Sequence, residues 1–309
     1  MRTETTMAGD RQTTLSRKVT CAGIGVHSGG RTRLTLLPAP VHSGIHFVRT
    51  DLPAGTGEIL AHAECVSDTQ LGTTLRNQHG ASVAVVEHLL AAIAGLGIDN
   101  LRAEIDGPEV PIMDGSSSVF YELLMQAGQQ AQSAARRRIR VLETVEVRDG
   151  PKRAALSPTK GDVLTLRARI EYDDQHIGVQ QMAVRLAPGM FARDLAFART
   201  YGFARDVEKL QSMGLARGGS LENAVVIGDQ GVMNPGGLRS SDEFVRHKML
   251  DAVGDLMLAG APIAGDYDAV QPGHGLNNRL VRKLLATPSA WCWEEARAPA
   301  QRGPVRAAV

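Results

Sequence analysis

Residues 242–260, DEFVRHKMLDAVGDLMLAG, carry apolar side chains at helical spacing, with Val245, Met249, Ala252, Val253, Leu256 and Met257 on one stripe. His247, Asp251 and Asp255 fall together on the opposite side at intervals of four, so an imidazole and a carboxylate can converge on one point. An exposed ion pair and a pair of metal ligands both have this spacing, and the helix alone does not choose between them. Residues 82–93, SVAVVEHLLAAI, are apolar nearly all round, which predicts a buried helix ending at the glycines of 95–97. Glu87 and His88 are the only polar residues in its middle. Burying a carboxylate beside an imidazole is costly unless both are satisfied. The dipeptide therefore reads either as a satisfied core pair or, more economically, as a metal ligand with a base beside it.

The rest of the chain alternates short extended segments with glycine-rich turns. Residues 13–38 predict strands with a hairpin near the Gly-Gly of 29–30, His27 lying in the bend before it. Strands follow at 44–50, in two short pieces up to 76, and at 101–105; then come a Pro/Gly-rich loop at 107–118 and a helix from 118 to about 130. The polar, basic run 129–138 is the best linker, and the arginines of 136–140 read as a solvated connector. In the second half, strands are expected at 140–148, 154–158 and 163–172, followed by an irregular stretch at 176–186. A helical piece at 190–195, a helix at 206–213 and a strand before 227 lead to the 242–260 helix. A strand at 263–269, a glycine-bracketed loop at 272–277 carrying His274, and a last helix at 278–285 complete the pattern. Residues 1–11 and 298–309 read as disordered tails. LLAAIAGL at 89–96 and MLDAVGDL at 249–256 match without gaps, which hints at duplication. Two similar halves would bring His88 and the His247/Asp251 pair to a shared interface, where sites commonly lie.

Composition narrows the class. With 309 residues, 43% hydrophobic, the chain can bury a core large enough for two domains. A net charge of +1 and an aromatic content of 4% give no nucleic-acid surface and no polybasic membrane patch. No apolar run approaches the roughly 20 residues of a membrane span, and the polar N-terminus lacks the apolar core of a secretory signal. Three scattered cysteines, Cys21, Cys65 and Cys292, point to a reducing compartment and a cytoplasmic protein. There is no CxxC, so a metal site has to use histidines and carboxylates. His88, His247 and Asp251 supply three such ligands, leaving a fourth position as in catalytic zinc sites. Glu87 is placed to take a proton from water whose pKa zinc lowers toward ~7, and Asp255 to orient a histidine.

The EH of VEHLLAAIAGLGIDN (87–88), the loop GPEVPIMDGSSS, RTYGF (199–203), HKMLDAVGD (247–255) and GHGLNN (273–278) resemble the UDP-3-O-acyl-N-acetylglucosamine deacetylase family. That family is zinc amidases of lipid A synthesis, and the likeness runs from about residue 11 to 293. The resemblance implies an α+β fold of two topologically similar domains, here 12–133 and 139–295. Each would pair a β-sheet with two helices, the helices sandwiched between the sheets. Each domain carries an insertion, expected at about 57–79 and 161–198. The second would form an acyl passage from Ile170, Ile177, Val179, Met182, Val184 and Leu186. Carried over residue by residue, His88, His247 and Asp251 bind one Zn2+ (Fe2+ being an alternative in the cell), and Glu87 is the base. His274 is the protonated acid, Asp255 holds it, and Thr200 hydrogen-bonds the oxyanion. Lys248 reaches the substrate's polar or phosphate end, and Tyr201, Phe203, Gly219 and Ser220 complete the substrate site. The implied partner is a UDP-sugar lipid precursor, with no nucleic acid and no stable membrane insertion, acted on by a monomer.

The sequence departs from the family's pattern at three points. Tyr201 stands where Phe is more frequent, EYDDQHIGVQQ lacks the proline expected before Ile177-Gly178, and Gly72 in DTQLGTT replaces a frequent cysteine. The last change removes a thiol near the metal and is expected to touch no catalytic role. A zinc metalloprotease would need an HExxH that the chain lacks. A deacetylase of another substrate class, or a zinc-stabilised module without activity, remains as the alternative; the module would leave Glu87 dispensable.

Overall fold

The computed structural model describes residues 10–295. Two five-stranded sheets share one topology. The first runs Val19–Ile24, Arg31–Pro38, Leu101–Ile105, Ile45–Arg49, Glu58–Leu60; the second runs Val145–Asp149, Lys152–Ser157, Asp266–Val270, Thr165–Glu171, Val179–Arg185. In each, the third strand in the order lies antiparallel to the second and parallel to the fourth. The duplication hinted at by the two matching helices is therefore present in the strand order as well.

Between the sheets lie α1 (Glu87–Leu96), α2 (Ser118–Ala127), α5 (Glu243–Met257) and α6 (His274–Leu285), while the short α3 (Met190–Asp194) and α4 (Val207–Ser212) belong to the second half's extra segment. Helix α1 packs on α5 and α2, and α6 packs on α5 and the Val145–Ser157 hairpin. Gly254 makes the α1–α5 approach possible, since a Cβ there would lie 2.1 Å from the carbonyl oxygen of Glu87. Any larger residue would push the helices apart at the level where His88 faces His247. Helix α5 is buried on nearly every side, its polar positions included. The side opposite its apolar stripe faces an interior polar cluster, not solvent.

Several boundaries differ from expectation. Residues 82–86 are not helical: Ser82–Val83 is a strand, and Val85 sits at φ 57° in the left-handed region, turning the chain into α1. The β-branched valines pack as well on a sheet as on a helix. Glu87 and His88 thus open the helix instead of lying at its middle. The 129–138 run is not a linker, because Gln129–Ala135 pairs antiparallel with Arg11–Leu15, which also removes Arg11 from the tail. Nor are its arginines a free connector: Arg136 pairs with Asp99, and Arg138 and Arg140 share Glu294 and Asp162 on a sheet completed by Trp291–Glu295. Residues 176–186 contain a regular edge strand, Val179–Arg185, paired along its length with Thr165–Glu171. The ranges 57–79 and 161–198 therefore both include strands of the main sheets. The extra chain in each half falls instead at 61–86 and 186–242, each folding a small three-stranded sheet. The 298–309 tail lies outside the described residues, as do positions 1–9.

Candidate active site

Helix α1 contributes His88, and α5 contributes His247 and Asp251, with one donor atom from each within 4.8 Å of the others. His247 Nδ1–H donates to the Ala198 carbonyl at 3.1 Å, which turns Nε2 toward Asp251. The Nε2 atoms of His247 and His88 lie 3.3 and 3.5 Å from Asp251 Oδ1. Yet Asp251 Oδ1 is buried and has no hydrogen-bond partner among the described residues, and the same holds for His88 Nδ1. A buried carboxylate oxygen left without a donor is costly, and a cation at the meeting point of the three atoms would satisfy it. The residues therefore fit a metal ion of the nitrogen- and oxygen-preferring kind. Burial pushes the His247 imidazole down to about 3, keeping it neutral as a ligand must be. Burial opposes ionisation of Asp251, but the basic groups around it, the Lys248 ammonium among them, outweigh it and hold the carboxyl well below the ordinary range. Lys248 Nζ donates to Asp251 Oδ2 at 2.8 Å, which uses one of the three N–H donors of its ammonium.

Glu87 and His274 stand on the other side of the triad. His274 Nε2 is 3.9 Å from both Glu87 Oε1 and Asp251 Oδ2, and its Nδ1–H donates to Asp255 Oδ2 at 3.0 Å. Sequence reading placed His274 on a loop, but it is the first residue of α6, Gly273 being the cap. The glycines on either side masked a helix start. Burial works against a charged imidazole there, but Asp255 and then Glu87 outweigh it and raise His274 to about 10. Burial raises Glu87, with His274 and His88 opposing. A carboxyl pushed up beside an imidazole pushed up is the arrangement that acid–base chemistry requires.

Both groups line a cavity of about 1090 Å3, together with His88, His247, Lys248 and Asp251. Thr200, Tyr201, Phe203, Gly219 and Ser220 are on its wall too, whereas Asp255 lies behind His274. Val207, Leu210, Leu221, Ala224, Val226 and Met233 give the cavity an apolar arm. None of the six residues expected to line an acyl passage reaches it. Ile170, Ile177 and Val184 are core, Met182 and Leu186 pack against the core, and Val179 is exposed. Alternation along an edge strand, with apolar residues on both faces, had imitated an irregular apolar segment.

The segment that carries Thr200 into the strand Tyr201–Phe203 is tied to α5 by a buried ion pair. Arg199 N and Nε donate to Glu243 Oε1 at 3.0 and 2.8 Å, and its Nη2 donates to Oε2 at 3.1 Å. Gln180 adds a cap, accepting from Val245 N at 3.1 Å. Glu243→Ala leaves Arg199 charged and unpaired and is expected to destabilise the fold by about 3–5 kcal/mol, read from the urea midpoint. A shift of a few tenths would mean that solvent reaches the guanidinium.

Some functional neighbours escaped sequence reading. Thr73, next to the Gly72 whose change from cysteine was expected to touch no catalytic role, bonds both Glu87 and Asp255, 14 and 182 positions away. Asn277 Nδ2 donates to Asp255 Oδ2 at 2.9 Å, and Asn277 Oδ1 accepts from the Tyr267 hydroxyl at 2.7 Å. Nothing local in a Gly-Thr-Thr run signals contacts of that range.

A convergent His/His/Asp set beside a buried carboxylate–imidazole pair, at the wall of a mostly apolar cavity between duplicated halves, is equipment that suits a hydrolase. The family profile described as UDP-3-O-acyl N-acetylglycosamine deacetylase (LpxC) matches residues 12–286, and the chain belongs to that family. It is 49% identical over 280 residues to a UDP-3-O-acyl-N-acetylglucosamine deacetylase of Phenylobacterium zucineum (strain HLK1), covering 91% of this chain and 95% of the relative. The deacetylase of Myxococcus xanthus (strain DK1622) is 50% identical over 283 residues, 92% and 88% of the two chains. That of Anaeromyxobacter dehalogenans (strain 2CP-C) is 48% identical over 305 residues, 97% of each. The protein is thus a deacetylase of the family that serves lipid A biosynthesis. Among the described residues no helix is long and apolar enough to cross a membrane.

Proposed function

We propose that this deacetylase removes the N-acetyl group of UDP-3-O-acyl-N-acetylglucosamine and releases acetate, using one zinc ion held by His88, His247 and Asp251. The observation that carries the reading is the unpartnered Asp251 Oδ1, faced by two imidazole nitrogens and flanked by Glu87 and His274. Zinc, when bound, polarises the amide carbonyl and makes water a competent nucleophile near neutral pH, and Fe2+ suits the same donors in the cell. Glu87 takes the proton from the attacking water. Thr200 donates its hydroxyl to the developing oxyanion. His274, kept protonated by Asp255, delivers a proton to the departing amine. Tyr201, Phe203, Gly219 and Ser220 bound the sugar. Lys248 buttresses Asp251 and offers charge toward the sugar's polar end, while Lys152 and Arg279 on the cavity wall supply charge for the diphosphate. The acyl chain takes the apolar arm from Val207 to Met233. On the same reading the chain divides into units 12–133 and 139–295 and works as a cytoplasmic monomer.

Chain length in the substrate tests this directly. Each methylene that enters the apolar arm is worth about 0.8 kcal/mol, so kcat/KM is expected to fall roughly fourfold per methylene removed. Indifference to chain length would point to another substrate class. His274 gives a pH signature. His274→Ala is expected to lower kcat about 10²-fold or more with metal retained. Wild-type activity should fall as pH rises through the His274 pKa, because the proton it donates is then lost. Asp255→Asn removes the charge that raises that pKa, so the alkaline limb should move to lower pH; an unmoved limb would assign it to another group.

A further inference from the structure

Thr73 belongs neither to the metal-holding triad nor to the acid–base pair, yet it bonds one carboxylate on each side of His274. It is 1% exposed and lies in the first half's extra segment, next to the strand Thr74–Arg76. Its backbone N–H donates to Glu87 Oε2 at 2.9 Å, and its hydroxyl donates to Asp255 Oδ1 at 2.7 Å. Each carboxylate therefore has one oxygen held by Thr73 and the other turned toward His274: Glu87 Oε1 at 3.9 Å from Nε2, Asp255 Oδ2 at 3.0 Å from Nδ1. Thr73, Glu87, His274 and Asp255 form a closed ring. Because one residue supplies both outer bonds, neither carboxylate can rotate without breaking its bond to the same anchor.

We infer that Thr73 is a positioning residue that locks Glu87 and Asp255 in register about His274, acting on turnover through Asp255 and not on substrate binding. This rests on the reading of Glu87 and His274 as base and acid. Thr73→Val keeps the shape and the backbone N–H but removes the hydroxyl, so it cuts the Asp255 arm alone. Thr73→Ala does so without setting a methyl against the carboxylate, and serves if the valine variant folds poorly. The expected result is a kcat about 10- to 100-fold lower, the usual effect of losing a group that orients a site residue, with KM and metal content unchanged. Thr73→Ser, which restores the donor, should recover most of the loss. In a His274→Ala background Thr73→Val should cost nothing further, because the group it acts through is gone. Wild-type kcat in both the Val and Ala variants, a loss that Thr73→Ser shares in full, or an undiminished loss on top of His274→Ala would overturn the inference. Glu87→Ala, assayed alongside, separates the two levels: retained turnover there removes the underlying reading of the site. An inactive Glu87→Ala beside a fully active Thr73→Val removes only the role of Thr73.

Discussion

Glu87→Gln is expected to lower kcat by about 10²- to 10⁴-fold while metal content and KM stay at their wild-type values. The substitution is close to isosteric, and an amide oxygen can still accept the Thr73 N–H that Glu87 Oε2 accepts at 2.9 Å. What the amide cannot do is take a proton. Glu87 sits at the first position of α1, where the partial positive charge of the helix end favours an anion, while burial pushes its carboxyl up. The helix end thus favours the ionised form, and burial favours the protonated one. It is not among the three donors that converge within 4.8 Å, so its loss should leave the ion in place. Turnover kinetics and elemental analysis on the same sample check this; loss of metal in the variant would make Glu87 a ligand.

His247→Ala is expected to lose metal and activity together, with turnover down by more than the ~10⁴-fold ceiling of a single acid–base group. Two donors cannot close a site that has three, and the imidazole removed is the one whose orientation Ala198 fixes. Chelation of the wild-type protein should reproduce the loss, and added zinc should reverse it in the wild type but not in the variant. A His247→Ala protein that still carries one ion per chain would move the site elsewhere.

The chemistry-bearing residues were legible because their spacing is local. His247, Asp251 and Asp255 recur every four residues in one helix, and the adjacent Glu87 and His88 stood out as polar residues in an apolar run. What joins them was not legible. That His88 reaches Asp251 depends on Gly254, whose missing Cβ lets two helices from opposite halves touch. The start of α1 was misplaced because valines satisfy strand and helix patterns equally, and only the turn at Val85 separates the two. His274 looked like a loop residue because glycines on both sides outweighed a helix start. The Gln129–Ala135 run read as a linker because a polar strand paired only with Arg11–Leu15 carries little apolar signal. The acyl-passage expectation missed the cavity for the opposite reason: an edge strand with apolar residues on both faces resembles an irregular lining segment, while the apolar lining proposed to take the acyl chain comes from helix, loop and strand between Val207 and Met233. Long-range polar contacts such as those of Thr73 leave no periodic trace at all.

The most direct test is mass spectrometry of UDP-3-O-acyl-N-acetylglucosamine incubated with the zinc-loaded protein, with free acetate measured in parallel. The expected product has lost one acetyl group and gained a free amine, with one acetate per sugar converted and the 3-O-acyl chain intact. Release of the acyl chain, or an unchanged sugar in the presence of zinc, would contradict the assignment of this site to N-deacetylation.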